Sequence, residues 1–388
     1  MFDPTHVDLP TLRKRAHNLR WATVPLGVIP LTAADPDFPC PPPVTEAIRR
    51  FLTERYFSYG PPEGLPEFRE SMARFFQEKR QTPVSPASVL PVDSAAFGIY
   101  ITCKAFLKPG DEAILFDPVD FLFRHAIDEA QAKPVTLPIP PGAPADFDRL
   151  ENLITPKTKL ICLCNPLNPT GKVFTKEELL GLGRLACRHD LIILSDEIWS
   201  DIVYKPHTFT SIASLGQEIS DRTVTITGFS KSYGLAGLRI GAVIASNREH
   251  YTRLYEASLH QSTVHGANLL SQVAATAALE ECGQWLDEFV THLHAMRDHS
   301  IDRLNRIPGF QSKHPEGCYV AFADITGTGR SSAAIREILF DQAKVAVVPG
   351  LPEWFGPGAA GYIRLSFATS RAILDEALDR ITLTIRNL

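Results

Sequence analysis

The sequence predicts an α/β protein with a largely parallel sheet, and three observations carry the prediction. Short apolar segments rich in Ile, Leu and Val recur through the middle of the chain: "DEAILFDP", "TKLICLCNP", "DLIILSDE", "RTVTITGFS" and "RIGAVIAS". Their length and continuous apolar character suit strands buried on both faces. Between two of them, "TKEELLGLGRLACRHD" opens with Thr175 and Glu178 at capping-box spacing, and Leu179, Leu182 and Ala186 follow at helical spacing. Strand, helix, strand in repetition lays helices across a parallel sheet. The third observation is that polar residues stand directly after several strands, where open parallel sheets bind their ligands.

The chain ends follow a different pattern. "PPPVTEAIRRFL" starts a helix after a proline run, and in "SRAILDEALDRITLTIRNL" Ile373, Ala377, Ile381 and Ile385 share one helical face. The proline-rich stretch Leu137 to Phe147, "LPIPPGAPADF", is too short for an interdomain linker and reads as a surface loop. Repeats, low-complexity tracts and heptads are absent. These features predict a small domain drawn from both ends, residues 1–45 and 286–388, around a large central domain of residues 46–285.

Composition narrows the function. A chain of 388 residues has room for two domains, and 44% hydrophobic with 21% charged residues is ordinary for a globular protein. A formal net charge of -5 and the lack of any Lys/Arg-rich block speak against nucleic acid or a membrane surface as partner. The start, "MFDPTHVDLP", has neither the basic nor the apolar part of a secretory signal, and no apolar run approaches the ~20 residues that span a bilayer. Seven cysteines are dispersed without CxxC spacing; the nearest pair, Cys162 and Cys164, would share a strand face and suits a disulfide poorly. The expectation is a cytoplasmic protein with reduced thiols.

Three strands end in groups with chemical potential. "KLICLC" leads to "NPLNPTG" and Asn168, "LIIL" leads to Asp196, and "VTITGF" leads to Ser230 and Lys231. Taken singly, Asn168 also fits a turn, Asp196 a helix cap, and Lys231 a snorkelling or paired cation. Taken together, an amide, a carboxylate and an amine converge on one sheet edge. A lysine kept neutral by its surroundings forms a Schiff base with an aldehyde, a carboxylate keeps a pyridine nitrogen protonated, and an amide donates to a phenolate oxygen. Ser230, Arg239 and backbone amides suit a phosphate. That combination points to pyridoxal 5'-phosphate. "VDSAAFGIY" offers a further anion site, with Ser94, Ala95 and Ala96 opening a helix, although plain capping explains those residues equally well.

The sequence resembles the class I/II aminotransferases of pyridoxal-phosphate fold type I over nearly its whole length. "LTAADPDFPCPPPVTEAI", "YGPPEGLPEFRESMARFF", "KPGDEAILFDP", "CNPLNPTGKVF", "LIILSDEIW", "GFSKSYGLAGLRIG", "VAVVPG" and "YIRLSFATS" are similar to that family's landmarks, in their order. The resemblance implies a large domain with a mainly parallel seven-stranded sheet and a small α+β domain. It implies that Lys231 carries the cofactor as an aldimine and serves as the base, that Asp196 pairs with the pyridine nitrogen, and that Asn168 contacts the phenolate oxygen. Arg239, Ser230, Ser94 and the Ala95 amide would cradle the phosphate, and Arg364 would hold the substrate α-carboxylate. Tyr59 matches a tyrosine that reaches the phosphate of a second subunit, so the resemblance implies a homodimer acting on an amino acid and a 2-oxo acid.

Four positions depart from the family pattern. Trp199 stands where a tyrosine usually donates to the phenolate oxygen, and its indole N–H is also a donor. After Pro118, Val119 and Asp120 occupy the region of an aromatic that stacks on the ring, with Phe121 as a substitute. Gly228 replaces a frequent phosphate-binding serine, and Ala34 replaces a glycine beside the substrate carboxylate. The leading expectation is an aminotransferase without aspartate specificity, since no second substrate arginine is identifiable. The alternative is a C–S β-lyase of the cystathionine β-lyase-like branch, which also departs from tyrosine after its S-D-E-I element. A non-catalytic effector-sensing domain ranks below both, because the landmarks begin by Leu31 and no basic recognition helix is present.

Overall fold

Proline starts the first two long helices, at the position where a missing N–H costs nothing. They are α1 (Pro42–Glu54) and α2 (Pro66–Arg80). The computed structural model describes residues 1–388. The central layer then alternates as expected: β1 (Val89–Val92), α3 (Ala95–Phe106), β2 (Glu112–Asp117), α4 (Phe121–Glu129), β3 (Lys133–Pro138), β4 (Thr158–Cys164), α5 (Lys176–Arg188), β5 (Ile192–Asp196), β6 (Thr223–Gly228) and β7 (Gly241–Ala245). All five apolar segments form strands, and the α5 capping box closes in both directions between Thr175 and Glu178.

The sheet has seven strands in the order β1-β7-β6-β5-β4-β2-β3. Neighbours from β6 to β3 are parallel, whereas β7 runs antiparallel to both β6 and β1. The two strands that periodicity does not reveal, β1 and β3, contain Pro91 and Pro134/Pro138, and they are the two edges, where a strand tolerates a missing N–H. The stretch expected to be a loop from Leu137 therefore begins inside β3. Leu137 pairs with Phe116 and is fully buried, and the loop proper starts at Ile139.

Beyond the sheet come α6 (Leu269–Glu281), α7 (Gly283–Leu304), β8 (Val320–Asp324), β9 (Tyr362–Ser366) and α8 (Arg371–Arg386). Val348–Pro349, β9, β8 and Gln311–Ser312 form an antiparallel sheet in that order. Helix α8 turns Ala377, Ile381 and Ile385 inward as its spacing predicts, with Ile373 half-buried. The N-terminal segment joins this region: Ile29–Pro30 pairs in parallel with Val345–Ala346, and the Phe2 ring meets Phe38 and Trp285 edge-on. Both chain ends thus share one core. Residues 45 and 285, the expected division points, lie within α1 and α7.

One glycine fixes the distance between the sheet and α3. A Cβ on Gly241 would lie 2.7 Å from the Thr227 carbonyl oxygen and 3.0 Å from the Ala95 nitrogen, both backbone atoms that cannot swing aside. Its cross-strand partner Gly228 has no such constraint, since a Cβ there would meet nothing closer than 3.5 Å. Gly241→Ala is therefore expected to destabilise the protein by about 1–3 kcal/mol, the usual cost of overpacking. Gly228→Ala should stay close to wild type, and comparing the two melting midpoints checks both.

Candidate active site

The carboxyl ends of the parallel strands open onto one cavity of about 460 Å³, within the size range of small-molecule sites. Ser94 follows β1, Asp120 follows β2, Asn168 follows β4, Asp196 ends β5, and Ser230 and Lys231 follow β6; all of them line it. Because β7 runs the opposite way, its N-terminal end lies at the same edge and brings Arg239 to the cavity. Arg364 arrives from β9, where it pairs in register with Phe322 and Val348.

Local turns hold these side chains. In the "NPLNPTG" loop the Gly171 N–H bonds the Leu167 carbonyl at 2.7 Å, and Asn165 Oδ1 accepts from the Phe174 N–H at 3.1 Å. Gly171 sits at φ 73°, and a Cβ there would lie 2.3 Å from Pro315 Cβ, so the turn requires glycine. Asp196 Oδ1 accepts from the Ile198 N–H at 3.1 Å. Behind it, Glu197 is buried on the hydroxyls of Ser195 and Ser211.

Lys231 Nζ donates to the Ala34 carbonyl at 2.7 Å, and the Tyr319 hydroxyl donates to the same oxygen at 3.1 Å. The indole of Trp199 presents its face to the amine, with Nζ 5.2 Å from the ring centroid, and packs against Tyr319. Burial lowers the Lys231 pKa, while Asp35, the largest of the opposing charges, raises it. At the start of α3, Ser94 Oγ accepts from the Phe97 N–H, which leaves the Ala95 and Ala96 amide hydrogens free. Arg364 donates to Asn168 Oδ1 at 3.0 Å and to the Thr32 carbonyl at 3.2 Å, and Asn168 Nδ2 donates to Asp120 Oδ2 at 2.8 Å.

One expected site residue, Tyr59, lies outside the cavity of its own chain. Tyr59 is 88% exposed, with its ring T-shaped to that of His265 at 4.6 Å. Gly228 ends β6 without lining the cavity. Phe121 does line it, edge-on to Trp354, and Asp120 caps α4 through the Leu122 N–H. Sequence reasoning passes over Tyr319, which belongs to an apolar β8 approach without any local signal, and over Glu197, which the neighbouring Asp196 overshadows.

A family model described as aminotransferase class I and II matches residues 27–381. The chain belongs to the class I and II aminotransferases. It is 34% identical to an aspartate aminotransferase of Thermotoga maritima over 91% of this chain and 90% of that one. It is also 31% identical to the cystathionine beta-lyase PatB of Bacillus subtilis over 91% of each. A pyridoxal-phosphate-bound structure from Clostridium difficile 630 superposes with a TM-score of 0.87 at 27% identity, covering 98% of this chain and 96% of that one. This aminotransferase therefore exchanges an amino group between an amino acid and a 2-oxo acid, with pyridoxal 5'-phosphate as its cofactor.

The residues present fit that cofactor. The free amides of Ala95 and Ala96, with Ser230 and an Arg239 side chain that has no partner in the fold, form an anion-accepting end. Lys231 supplies an amine, and Asp196 a buried carboxyl with a single hydrogen bond. Burial pushes the Asp196 carboxyl up to about 7, the Asp120 carboxylate adds to the rise, and the Ile198 N–H and Lys231 oppose it. Without cofactor the folded aminotransferase thus holds a proton that the unfolded chain, with a carboxyl pKa of about 3.9, has already lost, so this group's contribution to stability worsens as pH rises from about 4 to 7. In cofactor-free protein, Asp196→Asn should raise the melting midpoint over wild type more at pH 8 than at pH 5. Equal gains at both pH values would contradict the assignment.

Proposed function

We propose that Lys231, Asp196, Asn168 and Arg364 carry out the transamination, and the observation behind the proposal is their convergence on one cavity at the sheet edge. Bound pyridoxal phosphate supplies an aldehyde carbon for amine exchange and a ring that takes up electron density from the substrate Cα. Ser94, the Ala95 amide, Ser230 and Arg239 hold its phosphate, Asp196 holds its ring nitrogen, and Asn168 and Trp199 line the phenolate side. Gly228 leaves that phosphate cup one side-chain donor short of the family pattern. Lys231 Nζ, whose neutral form burial favours, takes the proton from the substrate Cα. Arg364 clamps the α-carboxylate, beside the Ala34 methyl, through its Nε, which is buried and has no partner in the fold.

The amino donor follows from the remaining wall. The cations lining the cavity are Lys231, Arg239 and Arg364, and each has a task; the rest of the wall is mostly apolar, with Leu19, Phe121, Val348, Trp354 and Phe355 in it, and also carries Asn18 and Asp93. The substrate in this reading is an amino acid with an uncharged, largely apolar side chain. Trp199, in place of the usual tyrosine and with its face to the lysine, favours a second reaction at the same site. After loss of the Cα proton a β-thiolate leaves and takes up a proton as thiol, and water hydrolyses the remaining 2-amino-2-alkenoate to ammonia and a 2-oxo acid. A panel of donors with a common 2-oxo acid tests the choice. Leucine- and phenylalanine-like donors should exceed aspartate at least tenfold in kcat/KM, the scale on which an unpaired charge is rejected. Aspartate as the best donor would contradict the substrate class, and thiol release from cystathionine without amino exchange would replace transamination by elimination.

The partner in this scheme is a second copy of the chain. Tyr56, Phe57 and Tyr59 are 77%, 65% and 88% exposed in one short stretch, an unusual expenditure of aromatic surface unless it is covered. Tyr59 then reaches the phosphate of the partner subunit. All seven thiols are free, which agrees with a reducing, cytoplasmic location, and no helix is long and apolar enough to cross a membrane. Sedimentation should give a two-subunit mass. Tyr59→Phe should keep that mass while weakening cofactor binding roughly tenfold, the loss of one hydrogen bond to a charged group. A monomer with full cofactor affinity would contradict the shared site.

A further inference from the structure

We propose that Asp120 is a positioning residue that sets the carboxylate-binding edge of Arg364 through Asn168, a role that rests on reading Arg364 as the substrate-carboxylate site. The contacts form a chain. Asp120 Oδ2 accepts from Asn168 Nδ2 at 2.8 Å, Asn168 Oδ1 accepts from Arg364 Nη1 at 3.0 Å, and Arg364 Nη2 donates to the Thr32 carbonyl at 3.2 Å. Arg364 and Asn168 are buried, and Arg364 Nε has no partner.

The polarity of this chain follows from what each group can do. A side-chain amide has a donor end and an acceptor end of nearly the same shape, so its orientation is decided by its neighbours. A carboxylate only accepts and a guanidinium only donates. Asp120 on one side and Arg364 on the other therefore permit a single orientation, with NH₂ toward Asp120 and oxygen toward Arg364. One hydrogen of Nη1 is spent on Asn168 and one of Nη2 on Thr32. Nε, which has no partner, and Nη2, which keeps one hydrogen, share the edge that binds a carboxylate with two parallel bonds. Without the acceptor at position 120, the Asn168 NH₂ loses its buried anchor and only the Arg364 side still orients the amide, so the stop on the guanidinium is held less firmly.

Asp120 also has a local task, because its Oδ1 accepts from the Leu122 N–H at 3.3 Å and caps α4. The two oxygens thus divide capping from positioning, and substitutions can separate them. Serine caps a helix as well as aspartate does but is too short to reach Asn168. Asparagine has one oxygen and cannot serve both Leu122 and Asn168.

The experiment uses the cofactor-loaded enzyme. It measures KM and kcat for the best donor, the dissociation constant of hydrocinnamate (an unreactive carboxylate lacking the amine) by calorimetry, and the melting midpoint. Asp120→Ser should keep the midpoint and leave kcat nearly unchanged, while KM and the hydrocinnamate constant both rise on the order of tenfold, the scale of one charge-assisted hydrogen bond. Asp120→Asn should weaken hydrocinnamate binding in the same direction. Unchanged hydrocinnamate affinity in both variants would overturn the proposal and leave Asp120 as a cap. Arg364→Ala serves as the separate control: if it leaves hydrocinnamate binding intact, the carboxylate site itself is misplaced, whereas its loss with silent Asp120 variants refutes only the positioning role.

Discussion

The hydrogen bond from Lys231 Nζ to the Ala34 carbonyl is the contact on which the cavity depends. It joins positions 197 residues apart, and Tyr319 donates to the same oxygen, so the N-terminal segment, the sheet edge and β8 meet at one atom. An amine removed from water needs such an acceptor, because desolvation without a partner costs several kcal/mol, on the order of 2–7 for a polar group. The acceptor is held in turn by pairing on both sides. The Leu31 N–H bonds the Ala346 carbonyl, the Leu31 carbonyl accepts from Ser366, and the Asp37 N–H bonds the Ala368 carbonyl. The segment that carries Ala34 is therefore stitched to the region around β9 before it reaches the lysine.

Around that point the fold leaves donors unsatisfied where anions must enter. Arg239 lacks a partner, the first amides of α3 are free, and Arg364 keeps Nε open. The reversed direction of β7 makes this possible, since a seventh parallel strand would carry Arg239 to the far side of the sheet. Gly241 then lets β7 lie against the start of α3, so that the arginine and the free amides serve one end of one cavity. The acidic groups of Asp120 and Asp196 stand among these cations, and each is held by hydrogen bonds at the sheet edge.

Much of this was legible in the sequence, for identifiable reasons. The five buried strands were visible because strands covered on both faces are continuously apolar, and α5 was visible because Thr175 and Glu178 form a capping box. Lys231, Asp196, Asn168 and Arg239 were legible because each lies at or close to the end of such a strand, and Ser94 because it opens an apolar helical run. The edge strands β1 and β3 were hidden by their prolines, which sequence reasoning treats as breakers and an edge tolerates. Tyr319, the Ala34 carbonyl and the Asp120–Asn168 contact depend on tertiary approach between distant segments, for which local spacing carries no trace. Trp199 was singled out by type, but only the structure shows that it offers its face to the lysine.

The central claim is that Lys231 is the residue that holds the cofactor. Reducing the pyridoxal-phosphate-loaded protein with borohydride and mapping the modified peptide by mass spectrometry tests it most directly. The account predicts one pyridoxyl group per chain, located on Lys231 within "GFSKSYGLAGLRIG". A stoichiometric label on any other lysine, with Lys231 unmodified, would contradict it.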